Sequence, residues 1–307
     1  MAADFVISGG RLHVPKTGVQ RDVNWTLVHE AAIWSVYYLS VRIRTLFRLP
    51  SRRPSIWFTP DVPRPWYLVR AAAAWAHIRV ARSPAEADAA FYFDDTTRAD
   101  PPPPGHARHF NFSCADISKS HVAAVFETVF GYPLTIDPTT WSGSAVEKSE
   151  ANGLHDGRVV ECPLNPAPGK TYQRLIETSD GAFSYDLRTP CVSGRPVVVW
   201  RKKKRAGDRF AIENLAVTEM RPEDVYSAAE LEQIARFSKA MGLDWGGLDI
   251  LREHATGRIY IVDVNKTDVG PVLALPWLSK MSSTRALASA LLGLMADASA
   301  GRLPAGL

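Results

Sequence analysis

Two carboxylates lie inside apolar runs near the end of this 307-residue chain, and few folds accept that arrangement. Gly242–Pro271 reads GLDWGGLDILREHATGRIYIVDVNKTDVGP. Its pattern predicts a strand over 247–251, a short turn at Thr256 and Gly257, and a second strand over 259–264, together a hairpin. Side chains alternate along a strand, so Asp263 and Asn265 leave from one face, while Asp249 stands on the partner strand. Two buried carboxylates repel unless a cation neutralises them. Hard oxygen donors suit Mg²⁺, which commonly takes one or two carboxylates and completes its shell with substrate phosphates. The alternative leaves Asp249 and Asp263 facing solvent, with Asn265 making the turn. The flanking runs LDIL and VDV argue against it, because they describe a buried strand.

The rest of the chain is compatible with such a core. Hydrophobic residues make up 46% of the sequence, which excludes native disorder, and the length suggests about two domains. The net charge of +4 hides an asymmetry: residues 1–82 hold 12 basic and 4 acidic side chains, leaving 24 and 28 for the remainder. A basic N-terminal quarter suits an anionic partner, although a solvated basic face gives the same count. Cys114, Cys162 and Cys191 are odd in number and lack CxxC spacing, which argues against disulfides or a zinc site and for a reducing, cytoplasmic setting. The N-terminus has no signal-peptide pattern, and the longest uncharged stretch near it, 31–41, falls short of the roughly 20 residues of a membrane span. The eight histidines show no HExxH or HxxxH spacing, and no Walker-type phosphate loop occurs. Cys114 lacks a paired histidine motif and reads as a small apolar residue. No nucleic-acid partner is expected.

Asn24 opens a long helix expected to reach Phe47, with apolar positions so numerous that a core helix with a solvated basic end is the first reading. The mixture of Arg42, Arg44, Arg48, Arg52 and Arg53 with Leu46, Phe47 and Leu49 makes 24–53 the stretch where a peripheral contact with the inner face of a membrane would fall. Short strands are expected over 55–59 and 89–93 and a helix over 67–77. Pro101–Pro104 can be neither helix nor central strand and gives a first boundary near 105. Helices are expected over 118–130, ending at Gly131, and over 228–241 and 284–300. Between them the pattern alternates strand and turn, which indicates α+β layers over a mainly antiparallel sheet.

Five motifs in one order complete the picture. Gly131-Tyr132-Pro133 leads through Asp137-Pro138 and Gly143 to Val146-Glu147-Lys148-Ser149. A flexible turn over 152–157, containing His155, follows. After it come the stretch Tyr172–Glu177, the triplet Asp186-Leu187-Arg188 and the hairpin. In this order the chain resembles the ATP-grasp superfamily, in particular the branch of the ribosomal-protein glutamate ligase and glutathione synthetase, over about residues 106–280. The resemblance implies two α+β subdomains clasping ATP, here 106–170 and 171–307, behind an altered N-terminal α/β pre-domain over 1–105. It implies Mg²⁺ on Asp249, Asp263 and Asn265, although the usual final Glu is Asp263 here. It further implies Lys148 on the nucleotide phosphates, adenine along Gln173, Arg174, Leu175 and Ile176, and Asp186 in the nucleotide site.

Physical alternatives accompany these roles. Lys148 within AVEKS is an expensive inward charge unless a phosphate meets it, or else an outward lysine on an edge strand. Arg188 either pairs internally with Asp186 or recognises a substrate carboxylate. Most of 201–205 reads as a solvated loop, yet the resemblance implies an arginine near the γ-phosphate followed by an asparagine. Arg205 with Asn214 matches that spacing, with Arg201 or Arg209 as register alternatives. The expected activity is an ATP- and Mg²⁺-dependent ligase that joins a carboxylate to an amine through an acyl phosphate, with Arg205, Arg188 and Lys148 as the catalytic cations. A kinase acting on a hydroxyl, or a non-catalytic nucleotide-binding protein at a membrane surface, are the alternatives. The acceptor is a small molecule or lipid-linked, since the proline-, tryptophan- and arginine-rich first hundred residues depart from the usual Gly-rich pre-domain.

Overall fold

The computed structural model describes residues 6–13, 20–46, 53–154, 156–211 and 213–300, the last four by backbone alone. Phe47, Arg48, Leu49, Arg52 and His155, singled out above, lie outside the described residues.

The chain opens with a three-stranded antiparallel meander, β1 (Val6–Ser8), β2 (Arg11–His13) and β3 (Gln20–Asp22), followed by helix α1 (Trp25–Arg44). Asn24 caps α1, its side-chain oxygen accepting from the Leu27 amide at 3.0 Å, which satisfies one of the donors a helix start leaves unpaired. The expected core helix is not found. Only Tyr37 and Val41 of α1 are buried. The sequence carries two apolar stripes, one including Trp34, Tyr37, Tyr38 and Val41 and the other Val28, Val36, Leu39 and Ile43, and the fold covers only the first.

An α/β unit follows. Strands β4 (Ser55–Pro60), β5 (Arg79–Val80), β6 (Ala89–Phe93) and β7 (His109–Phe110) form a parallel sheet in the order β5-β4-β6-β7, with α2 (Leu68–Trp75) crossing between β4 and β5. The four prolines at 101–104 therefore do not mark the boundary expected near 105. They lie between β6 and β7 of one sheet, in a connection where a missing amide costs no ladder bond.

Helix α3 (Lys119–Phe130) ends at Gly131, whose φ of +77° is the left-handed conformation that glycine adopts without a Cβ penalty. Next comes a small antiparallel sheet, β10-β8-β9, made of β8 (Gly143–Ser149), β9 (Arg158–Cys162) and β10 (Lys170–Arg174). The expected division at 170/171 falls inside this sheet, because β10 pairs with β8 as far as Arg174 opposite Ala145.

The large antiparallel sheet runs β14-β13-β11-β15-β16, with β12 (Arg195–Pro196) paired to β11. Its strands are β11 (Phe183–Val192), β13 (Val199–Arg205), β14 (Ala216–Met220), β15 (Trp245–Arg252) and β16 (Ile259–Asn265). The short α4 (Pro222–Val225) and α5 (Ala228–Ala240), which starts in a capping box between Ser227 and Glu230, connect β14 to β15. Helix α6 (Trp277–Ala300) begins seven residues before the start expected at Thr284.

Two cores sandwich this sheet. Phe126 and Phe130 of α3 and Ile234 and Phe237 of α5 pack with Leu187, Leu248 and Ile250 on one face, so α3 belongs with the large sheet. On the other, Val192, Trp200 and Trp245 join Leu287 and Leu291 of α6 and Val69 and Ala72 of α2. Trp200 is fully buried, and its indole donates to Ser283 Oγ at 2.9 Å. Truncating such a residue to alanine costs about 3–5 kcal/mol.

Candidate functional site

In an antiparallel ladder, residues directly opposite each other send their side chains to the same face. Arg188 stands opposite both Trp200 and Asp249, Asp249 opposite Asp263, and Gly247 opposite Asn265. The sheet face that buries Trp200, Trp245 and Val192 therefore continues into a charged half made of Asp186, Arg188, Lys202, Lys204, Asp249, Asp263 and Asn265. One half of the face is core and the other is charged.

Every carboxylate there meets a cation. Arg188 donates from Nη1 to Asp249 Oδ2 at 2.7 Å and from Nη2 to Asp268 Oδ1. Lys202 Nζ reaches Asp249 Oδ1 at 3.4 Å, and Lys204 Nζ lies 2.8 Å from Asp186 Oδ2. From the start of α3, buried Lys119 pairs with Asp263 and donates to Asn152 Oδ1 at 2.8 Å. Burial alone would raise the Asp249 carboxyl, but Arg188 and Lys202 outweigh it and hold the group well below the usual carboxylate range. At fully enclosed Asp268 burial wins over Arg188, and the carboxyl is pushed up. The Arg188 guanidinium, lowered by burial, is raised overall by Asp249 and Asp268.

The small sheet supplies the opposite wall. Lys148 donates to Gln173 Oε1 at 3.1 Å, and burial followed by the charge of Lys119 brings its ammonium down to about 8, against the attraction of Asp263, Asp249 and Asp186. Gln173 is buried, and its Nε2 has no hydrogen-bond partner among the described residues. The turn between β8 and β9 reaches across to the hairpin: Asn152 Nδ2 lies 3.5 Å from Asn265 Oδ1, and the Asn152 amide is held by Thr97 Oγ1 at 2.8 Å. Residues 175–178 cross from the small sheet to the large one outside both ladders, with Leu175 half-buried and Ile176 in the core. Arg174 lies with its guanidinium 5.9 Å from the Tyr260 ring centroid.

Arg188, Lys148, Gln173, Asp186, Asp249, Asp263 and Asn265 are thus brought near one another. Arg205 is not. It is exposed on β13, two residues from Lys203 and four from Arg201, whose cations stack over Phe183 and Tyr185 on the face away from the carboxylates. Arg209 pairs with Glu177 at 2.8 Å, and Asn214 is half-buried in the loop before β14. The run 201–205 is strand rather than loop, and its alternate lysines, 202 and 204, face the site. Parity from the apolar Trp200 could have selected them. The internal pair expected between Asp186 and Arg188 is replaced by Asp186 with Lys204 and Arg188 with Asp249 and Asp268. Lys119 and Asp268 give no local signal, one at a helix start and the other in the loop KTDVGP.

The donor set fits a hard divalent cation: two carboxylates and an amide oxygen on neighbouring strands, with room in its shell for phosphate oxygens. Among the described residues no group of three or more His, Cys, Asp or Glu side chains is placed to hold a metal ion, and this set has two carboxylates, with the Asn265 amide as its third donor. The three cysteines are free and buried, and burial pushes the Cys114 thiol up to about 12.

The arrangement of a small antiparallel sheet closing over a larger one is the ATP-grasp fold. The structure of the ATP-grasp ligase PsnB complexed with a minimal precursor superposes with a TM-score of 0.52 at 14% identity, covering 79% of this chain and 99% of that one. The same ligase with minimal precursor, Mg and ADP gives 0.52 at 14% identity over 81% and 100%. A D-alanine–D-alanine ligase from Bacillus anthracis complexed with ATP superposes more loosely, with a TM-score of 0.48 at 10% identity over 80% and 98%. No family model matches the sequence, and no curated protein matches it either. At 14% identity the likeness to PsnB establishes the fold.

Proposed function

We propose that the protein is an ATP-dependent ligase that activates a carboxylate as an acyl phosphate and passes the acyl group to an amine, releasing ADP and phosphate. One observation carries this reading. Five cations, Lys119, Lys148, Arg188, Lys202 and Lys204, surround four carboxylates, Asp186, Asp249, Asp263 and Asp268. Such an excess of half-buried positive charge is costly alone and is relieved by a polyanion such as a triphosphate.

Asp249, Asp263 and Asn265 would hold Mg²⁺, which supplies charge neutralisation on the phosphates when bound. Lys148 aligns phosphate oxygens from the small sheet. Arg188, fixed by two carboxylates, offers its guanidinium to the negative charge that develops as the phosphoryl group moves, where a water-poor site makes that charge stabilisation strongest. The main-chain groups of Leu175 and Ile176, outside both ladders, suit an adenine edge. Catalysis by this set is positioning and electrostatics, with no side-chain nucleophile.

The test is release of ADP and phosphate in a library of carboxylates and amines that includes peptides, since PsnB was solved with a peptide precursor. Phosphate release that requires both a carboxylate and an amine supports ligation. Retention of the γ-phosphate on a hydroxyl acceptor would replace the ligase by a kinase, and turnover unaffected by Asp249→Asn would remove the site itself.

A further inference from the structure

We propose that α1 and the start of α6 form a docking face for an anionic membrane surface. The outward stripe of α1 places Trp25, Val28, Val36, Leu39 and Ile43 at helical spacing along about 27 Å of helix, with Leu46 just beyond. Trp25 is 81% exposed, Leu39 58% and Leu46 74%. Beside this stripe, Trp277 and Leu278 at the start of α6 are exposed as well, Leu278 at 74%. The two helices are tied together by a hydrogen bond of 2.7 Å between Tyr37 Oη and Thr284 Oγ1. Between them lies an apolar groove of about 490 Å³ lined by Ile33, Val36, Leu273, Leu275 and Trp277. A contiguous apolar surface of this kind marks an interaction site.

Charge identifies the occupant. No acidic residue occurs between Glu30 and Asp61, where the sequence holds five arginines, and none between Asp268 and Asp297. Glu30 itself is paired with Arg21. The exposed charges bordering the apolar surface are therefore cationic: Arg42, Arg44 and Arg285, the last two flanking Met281 and Trp75. A second copy of the same face would bring these cations against one another. An anionic lipid headgroup layer instead pairs with them while the tryptophans and aliphatic residues enter the acyl boundary. Among the described residues no helix is long and apolar enough to cross a membrane, so the contact is peripheral.

The test uses the full chain and vesicles of phosphatidylcholine with or without phosphatidylglycerol. Co-sedimentation with the anionic vesicles is expected at low salt, several-fold weaker at 0.5 M salt and absent on pure phosphatidylcholine. The double variant Val36→Glu/Leu39→Glu, at exposed positions, is expected to bind at least tenfold more weakly with an unchanged thermal melt. Trp25→Ser serves as a second variant if the first unfolds. The proposal is overturned by equal binding of the variants, by no binding to anionic vesicles at low salt, or by a solution dimer that the double variant dissociates.

Discussion

Gly247 offers the sharpest test of how the site is packed. A Cβ at this position would lie 2.1 Å from Asp268 Oδ2, 2.8 Å from Asp268 Cγ and 2.9 Å from Arg188 Nε, more than 1 Å inside ordinary contact for the first. Gly247 thus leaves the space in which the buried Arg188–Asp268 pair forms. Gly247→Ala forces that pair apart. Separating a buried ion pair costs about 3–5 kcal/mol, and the enclosed Asp268 has nowhere else to turn. We take about 3 kcal/mol as the expected loss, which at roughly 2–4 °C per kcal/mol lowers the melting temperature by about 6–12 °C. Thermal melts and urea titrations of Gly247→Ala, Asp268→Ala and the double variant form a cycle that isolates the contact. In the Asp268→Ala background the alanine at 247 should cost under about 1 kcal/mol, because both Asp268 atoms it strikes are gone and Arg188, released from that partner, can shift its Nε away. A loss below about 1 kcal/mol in the single variant, or the same loss with and without Asp268, would refute the reasoning.

Three further outcomes follow from the geometry. The Lys148 ammonium, brought down to about 8 by burial and by Lys119, carries its charge below that pH and loses it above. ATP affinity should therefore fall by up to tenfold per pH unit above about 8, and Lys148→Arg should flatten the profile in calorimetric titrations. Lys202→Ala and Lys204→Ala should lower phosphate release by tenfold or more, while Arg205→Ala, at an exposed position on the other side of β13, should stay within about threefold; steady-state kinetics of the three variants decides it. With its thiol raised to about 12 and fully enclosed, Cys114 should resist alkylation at pH 8 in the native protein and react at once in 6 M urea, as read by mass spectrometry.

The hairpin was legible because Leu248, Ile250, Val262 and Val264 bracket Asp249 and Asp263, leaving the carboxylates few places to go. Its register was not legible, because a shift between Asp249 and Ile250 is what sets Asp249 opposite Asp263. The basic run 201–205 was not legible in the same way: every residue is cationic, so composition shows no face, and only the pairing with β11 turns Lys202 and Lys204 toward the carboxylates. Helix α1 misled for the opposite reason. Both of its faces are apolar, and the neighbours that decide which one is covered, α2 and α6, lie far away in sequence. Lys119 and Asp268 became visible only when tertiary contacts brought a helix start and a loop against Asp263 and Arg188.

Calorimetric titration of ATP into the protein, with and without Mg²⁺, and into Asp249→Asn/Asp263→Asn, tests the metal–nucleotide site most directly. Tight binding that requires Mg²⁺ and is lost at least a hundredfold in the double variant is the expected result. ATP binding of equal strength with and without Mg²⁺, or untouched by the double substitution, would contradict it.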